Sequence, residues 1–262
     1  MRLKDRVVVI TGAGRGMERA HAIMAAKEGA KVVVNDIDFE SAKNVVEEIR
    51  AAGGEAVANG DTVATWDGGR NIIETAIKNF GRIDVLVNNA AITRDRMIWN
   101  MTEEEWDEVI AVDLKGEFTT TRFAVPYMRE QKSGKIIFIT SSVGIKGNVG
   151  QTNYAAAKGG VVAMTKSLAK ELGRYNILVN CISPRAETHV QRDEVRQLQT
   201  TTEFERTADG HLATNANVLG WVAKPEEVSA VVMFLASDEA NYITGQIIGV
   251  DGGTIWPPGL MG

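Results

Sequence analysis

The sequence predicts an α/β fold: one doubly wound domain with a parallel sheet of about seven strands and helices on both faces. Two observations predict it. Short, β-branched apolar runs alternate with longer amphipathic ones from one end of the chain to the other. The short runs are apolar throughout instead of alternating with polar residues, as strands covered on both faces are. No internal repeat, low-complexity tract or composition shift marks a linker, so residues 1–262 read as a single domain.

The elements follow in order. Val7 to Thr11 is a short continuous strand, and Gly12-Ala13-Gly14-Arg15-Gly16 is the turn after it. A helix from about Met17 to Glu28 is closed by Gly29, which serves as a left-handed cap. Lys31 to Asn35 is the second strand, ending at Asp36, and Ser41 to Ala52 is a helix stopped by Gly53-Gly54. Ala56 to Ala58 is a third strand, ending near Asp61, and Thr65 to Phe80 is a helix stopped by Gly81. Ile83 to Val87 leads as the fourth strand into Asn88-Asn89-Ala90-Ala91. Thr102 and Glu105 have the spacing of a capping box and open one long helix to about Arg129. Lys135 to Thr140 is the fifth strand; a glycine-rich loop then leads to an Ala-rich helix ending near Leu172. Ile177 to Ile182 is the sixth strand. Pro225 suits a first helical position, and Gln246 to Val250 is the last strand.

Composition excludes several classes. The chain has 262 residues, 44% hydrophobic and 24% charged, with a net charge of −5. That is a globular composition, and without a basic block or an aromatic-basic stripe nucleic acid is not an expected partner. No apolar run approaches the ~18 residues of a membrane span, and Val7 to Ile10 is too short for a signal core. The single Cys181 lies in an apolar run and reads as a small buried hydrophobe, which fits a reducing cytoplasm. His189 and His211 share no metal-ligand spacing with Cys181 or each other, so no metal is expected.

In open parallel sheets ligands bind at the carboxyl ends of the strands. Gly12, Asp36, Asp61, Asn88, Ser141 and Pro184 all fall there. Glycines opening a helix after the first strand let backbone amides approach a phosphate. The loop lacks the third glycine of Gly-x-Gly-x-x-Gly, because position 17 is Met17, and any tight turn of this kind also uses glycine. Asp36, ending the second strand, suits the ribose hydroxyls of an adenosine; alone it is equally a turn aspartate. Tyr154 and Lys158 lie four apart on a helix and share a face. A fixed ammonium beside a phenol favours the phenolate and is expected to lower the Tyr154 pKa. With Ser141 to hold a substrate oxygen, these groups can move a proton on and off an alcohol. A Tyr-x-x-x-Lys pair by itself is also what an ordinary surface helix shows; the strand, the loop and Ser141 set this one apart.

Thr11-Gly12-x-x-x-Gly16, Asn88-Asn89-Ala90, Ser141, Tyr154-x-x-x-Lys158 and Pro184, in that order, resemble the short-chain dehydrogenase/reductase family over nearly the whole chain. The resemblance implies a Rossmann-type domain with Tyr154 as acid/base, Ser141 on the substrate oxygen, and Lys158 on the nicotinamide ribose. It implies NAD held by Gly12, Arg15, Gly16, Met17, Asp36, Asp61, Thr62, Asn88, Ala90, Pro184 and Thr188, together with Tyr154 and Lys158. It implies a substrate lid at about 188–224 and a homotetramer in which the helices from Thr102 and from Thr152 pair across a two-fold axis. Val33-Val34-Asn35-Asp36, Gly54 to Asn59 and Thr93 to Arg96 look more narrowly like the hydroxyacyl-CoA dehydrogenase part of multifunctional β-oxidation enzymes; related bacterial alcohol dehydrogenases look similar.

The chain departs from the family pattern at four places. Glu18 stands where the third loop glycine is usual, Asp113 where an Asn completes a relay with Lys158, Ala91 where Gly follows Asn88-Asn89-Ala90, and Arg185 where Gly follows Pro184. Glu18 suits a helix N-terminus but would crowd or repel a pyrophosphate. Asp113, ionised, can accept a hydrogen bond but not donate one, and can pair with Lys158. The expected function is an NAD-dependent interconversion of a secondary alcohol and a ketone, with Ser141, Tyr154, Lys158 and Asp113 as the catalytic set. The rival is a dinucleotide-binding protein with weak or no turnover. The polar 188–224 segment leaves the alcohol or ketone substrate unnamed, and Trp99, Trp221 and Trp256, which could line a pocket, read first as core or interface packing residues.

Overall fold

A computed structural model describes residues 1–186, 212–213 and 217–254. Seven parallel strands form one sheet in the order β3-β2-β1-β4-β5-β6-β9. They are β1 (Val7–Ile10), β2 (Lys31–Asn35), β3 (Glu55–Asn59), β4 (Val85–Asn88), β5 (Gly134–Ile139), β6 (Ile177–Pro184) and β9 (Ile247–Val250). A two-stranded antiparallel piece, β7 (Leu212–Ala213) with β8 (Trp221–Val222), lies within the expected lid. The helices are α1 (Gly16–Lys27), α2 (Phe39–Ala51), α3 (Trp66–Phe80), α4 (Glu103–Ile110), α5 (Glu117–Gln131), α6 (Ser142–Lys146), α7 (Thr152–Leu172) and α8 (Pro225–Ala236).

Alternating side chains on each strand feed two cores. Val8, Ile10, Val32 and Val34 pack with Ala22, Ala25, Val45, Val228 and Val232 on the α1, α2 and α8 side. Val7, Val9 and Val33 pack with Ile72, Ile73, Ala124 and Val161 on the α3, α5 and α7 side. Burial on both faces is why these strands are apolar without alternation. The chain runs outward from β1 to β2 and β3, then returns to place β4 on β1's other side. That reversal opens a crevice at the carboxyl ends of β1 and β4, where ligands of such sheets bind.

Two local differences from expectation bear on the site. The long helix opens as anticipated: Thr102 Oγ1 accepts from the Glu105 amide at 3.2 Å, and Glu105 Oε2 accepts from the Thr102 amide at 3.0 Å. It does not run uninterrupted, however; a π-helical segment over Ala111–Gly116 separates α4 from α5 and turns Asp113 and Gly116 inward. Such π-turns are frequent at functional sites. The glycine-rich stretch after β5 is also not wholly a loop, because Ser141 caps the short α6 through its Oγ and the Val143 amide (3.2 Å). Gly144 lets α6 lie against α7: a Cβ there would sit 2.6 Å from the Lys158 carbonyl carbon.

Candidate active site

The crevice is a cleft of about 650 Å³, lined at one end by Gly12, Arg15, Gly16, Met17 and Asp36 and at the other by Ser141, Tyr154 and Lys158. Asp61, Thr62, Ala90 and Pro184 line it between, with Asn89, Ile92 and Arg185. Most of the residues singled out from the sequence therefore meet on one surface. Among the described residues two do not line it. Asn88 is a correction: its Nδ2 donates to Thr121 Oγ1 (3.0 Å) and its Oδ1 accepts from Thr120 Oγ1 (2.6 Å), so the side chain is spent pinning β4 to α5. The neighbouring Asn89 lines the cleft instead, since successive residues at a strand end point opposite ways. Asp113 sits behind the wall rather than on it. Thr188 lies outside the described residues, as do His189, His211 and Trp256. Trp99 is 72% exposed, so of its two expected packing roles the core is excluded.

The loop end is built by close approach. Gly12 has φ +71° and a Cβ there would lie 2.9 Å from the Ala90 Cα, so only glycine lets the turn after β1 pass the end of β4. Thr11 Oγ1 accepts from the Asn89 and Ala90 amides at 3.0 and 3.1 Å and locks the two strand ends together. Asp36 is fixed by backbone: its Oδ2 accepts from the Gly14 amide and its Oδ1 from the Asp38 amide, both at 2.9 Å. Ionised, it retains further acceptor capacity for hydroxyl groups. Asp61 is held by side chains instead: its Oδ2 accepts from Asn59 Nδ2 (2.8 Å) and its Oδ1 from Asn71 Nδ2 (3.1 Å).

These residues fit a dinucleotide. The amides opening α1 meet the cleft beside Arg15, Gly16 and Met17, as a phosphate site requires. Two buried polar atoms of cleft-lining residues, Asn89 Oδ1 and Arg185 Nε, have no partner among the described residues and suit a ligand's polar groups. Glu18 is the discordant group. Its side chain lines the cleft, and its Oε2 would lie 2.8 Å from a Cβ on Gly16. Burial, with Asp36 adding repulsion, pushes its carboxyl above the usual carboxylate range, against a hydrogen bond from Asn89.

At the other end α7 carries Tyr154 into the cleft and Lys158 through to the interior. Asn153 anchors the start of α7: its Nδ2 donates to the Arg94 and Glu105 carbonyls, both at 3.0 Å, and its Oδ1 accepts from the Tyr154 amide at 2.8 Å. Lys158 is 1% exposed. Its Nζ donates to Glu117 Oε1 at 2.8 Å and stands 3.7 Å from Asp113 Oδ2. Asp113 Oδ1 meanwhile accepts from the Ile92 amide at 2.9 Å, tying the π segment to the cleft wall. Glu117 is the residue that sequence reasoning missed. Its one legible signal was its spacing, four residues after Asp113 on the same helical run.

The electrostatics correct one expectation. Lys158 does pull the Tyr154 phenol toward ionisation, with help from a Ser141 hydrogen bond, but burial pushes harder the other way and Asp113 and Glu117 add to it. The Tyr154 pKa is therefore raised, not lowered, in the ligand-free protein. Burial likewise pushes Asp113 up to about 6 and Glu117 up to about 8, against the attraction of Lys158. Burial acts to strip the Lys158 proton, yet Glu117 and Asp113 outweigh it and hold the ammonium charged. Cys181, behind them on β6, is a buried thiol pushed up to about 12 by burial and by Glu117; it stays neutral. Among the described residues no cluster of metal-ligating side chains occurs, and no helix is long and apolar enough to cross a membrane.

Set against known proteins, residues 12–254 match the family model described as "Enoyl-(Acyl carrier protein) reductase". The chain is 44% identical over 255 residues to the 3-oxoacyl-[acyl-carrier-protein] reductase FabG of Thermotoga maritima, covering 97% of this chain and 100% of that protein. It is 42% identical over 264 residues to the peroxisomal hydratase-dehydrogenase-epimerase of Neurospora crassa, where the match takes in 97% of this chain but 27% of the relative. A solved structure of a short chain dehydrogenase from Mycobacterium avium aligns with a TM-score of 0.80 at 43% identity, over 97% of this chain and 84% of that one.

Proposed function

The chain belongs to the short-chain dehydrogenase/reductase family, and on that premise we propose that it interconverts a secondary alcohol and a ketone with NAD as its nicotinamide dinucleotide. The observation that carries the proposal is the meeting of Ser141, Tyr154 and Lys158 at one end of a cleft whose other end is the glycine loop and Asp36. Gly12, Gly16, Met17 and the amides opening α1 would hold the pyrophosphate, with Asp36 on the adenosine ribose and Asn89, Tyr154 and Lys158 toward the nicotinamide half. The bound dinucleotide supplies the hydride acceptor or donor.

The chain's own groups handle the proton. Ser141 and Tyr154 hold the substrate oxygen, and the Tyr154 phenol exchanges a proton with it. Lys158, kept charged by Glu117 and Asp113, supplies the positive charge behind the phenol. The names of the relatives make a 3-oxoacyl thioester the first ketone to test. We place the protein in the cytoplasm as a homotetramer, an assignment that draws on the family and on the single buried, unpaired Cys181.

The test is Tyr154→Phe. Turnover, followed by NADH absorbance over a panel of ketones and secondary alcohols, should fall by about 10²- to 10⁴-fold while NAD affinity changes little. A variant keeping more than about a third of the wild-type rate would remove Tyr154 from the acid/base role. Glu18 favours a second reading, dinucleotide binding without useful turnover, because a carboxylate stands at the phosphate cradle. Tight NAD binding with no hydride transfer across the panel would select it.

A further inference from the structure

We propose that Glu117 is a positioning residue that holds Lys158 from behind and, with Asp113, cancels its charge, so that Tyr154 is poised to give a proton to a ketone rather than to take one from an alcohol. The proposal rests on the alcohol–ketone reading above. Its basis is geometric. Two carboxyl groups stand behind a single ammonium, at 2.8 Å for Glu117 and 3.7 Å for Asp113, and all three side chains are at most 3% exposed. Among the described residues neither Asp113 Oδ2, which has only the ammonium at 3.7 Å, nor Glu117 Oε2 has a hydrogen-bond partner. Anionic oxygens without hydrogen bonds are costly to bury, and two like charges sharing one ammonium do not both ionise readily. The pair therefore retains one proton around neutral pH, consistent with the upward shifts of both groups.

The groups that face Tyr154 decide its state. Lys158 on α7 pulls toward the phenolate, as does the Ser141 hydroxyl; Asp113 on the π segment and Glu117 on α5 push toward the phenol. Cys181 on β6 adds no charge, since its thiol stays neutral. Between about pH 6 and 8, with Glu117 protonated and Asp113 ionised, Asp113 and Lys158 balance each other; above about 8 the cluster carries one net negative charge beside the phenol. From about pH 6 upward the bare ammonium that would favour tyrosinate is absent. The favoured step is then reduction. The ketone carbon gains a hydride from the reduced dinucleotide, the ketone oxygen gains the Tyr154 proton, and the phenolate left behind is reprotonated from water.

Glu117→Gln tests this, because Gln Oε1 can still accept from Lys158 while the charge is gone. Tyrosinate absorbance of the ligand-free protein is titrated in wild type and variant. The curve of each protein's Tyr154→Phe counterpart is subtracted, since the chain has 4 tyrosines. The Tyr154 midpoint should fall by at least about one pH unit, a roughly tenfold gain in tyrosinate at fixed pH, while Glu117→Asp stays close to wild type. In turnover assays the acid limb of alcohol oxidation should move down with the midpoint, and ketone reduction should fade at lower pH than in wild type. Asp113→Asn should shift the midpoint the same way and replaces Glu117→Gln if circular dichroism shows that variant unfolded. A midpoint unchanged or raised in the folded variants overturns the proposal. A lowered midpoint in a protein that reduces no ketone would instead sink the alcohol–ketone reading and leave the charge effect standing.

Discussion

Glu18 gives the sharpest test of how this cleft treats a phosphate. Glu18→Gln keeps the bulk and removes only the charge, whereas Glu18→Gly removes both. An anion held by the amides opening α1 would lie on the order of 5 Å from the Glu18 carboxylate, whose Oε2 reaches over Gly16. At an effective dielectric of ~20, one unit-charge pair at that distance costs about 3 kcal/mol before screening. Solvent in the open cleft screens part of that, and burial and Asp36 already push the Glu18 carboxyl toward its neutral form. About 1.4 kcal/mol is the expected remainder, so Glu18→Gln should bind NAD roughly tenfold tighter near neutral pH. The pH dependence has a definite sign. A bound anion raises the Glu18 pKa further, so wild-type affinity is full below the free-protein pKa and falls as pH rises through the pKa of the complex. Calorimetric NAD titrations over a pH series running upward from the ordinary carboxylate range should show that fall in wild type and a flatter profile in Glu18→Gln. Any extra gain in Glu18→Gly over Glu18→Gln reports the bulk. Equal affinities and equal pH profiles for all three proteins would mean that the carboxylate points away from bound phosphate, and the second reading would lose its motive.

Three further outcomes are expected. NAD should be preferred over NADP by at least ~10-fold in kcat/KM, because Asp36 is tied down by two backbone amides opposite a phosphate carrying roughly −1.5 to −2 charge, whereas Arg15 is exposed and free to swing away; equal efficiency would mean that Arg15 decides. His21 is a neutral buried imidazole whose Nδ1 bonds Ser229 Oγ at 2.7 Å while Nε2 has no partner among the described residues, and burial pushes its pKa down to about 3. Its contribution to stability is full above about pH 6.5 and is lost as pH falls toward 3, by up to about 1.4 kcal/mol per unit, so urea midpoints should drop between pH 7 and 5 and drop less in His21→Gln. Light scattering at micromolar concentration should give the mass of a homotetramer, and a monomer would refute the assembly proposed.

Local order was enough to read most of this protein. Continuous β-branched runs separated by amphipathic ones set the strands, the helices and their parallel arrangement, because those patterns depend only on which faces each element must bury. The glycine loop, Asp36, Ser141, Tyr154 and Lys158 were legible for the same reason: each sits at a strand end or at helical spacing, and strand ends converge in such a sheet. Tertiary structure decided the rest. Whether Asn88 or Asn89 meets the cleft depends on which neighbour faces Thr120 and Thr121 across β4 and α5. The π segment turns Asp113 inward, and Glu117 at the start of α5 meets an ammonium carried by α7. The direction of the Tyr154 pKa shift follows from burial and from charges on α7, the π segment and α5 together. Periodicity is a property of neighbours along the chain, whereas desolvation and Coulomb forces sum over neighbours in space, and only the folded structure says who those are.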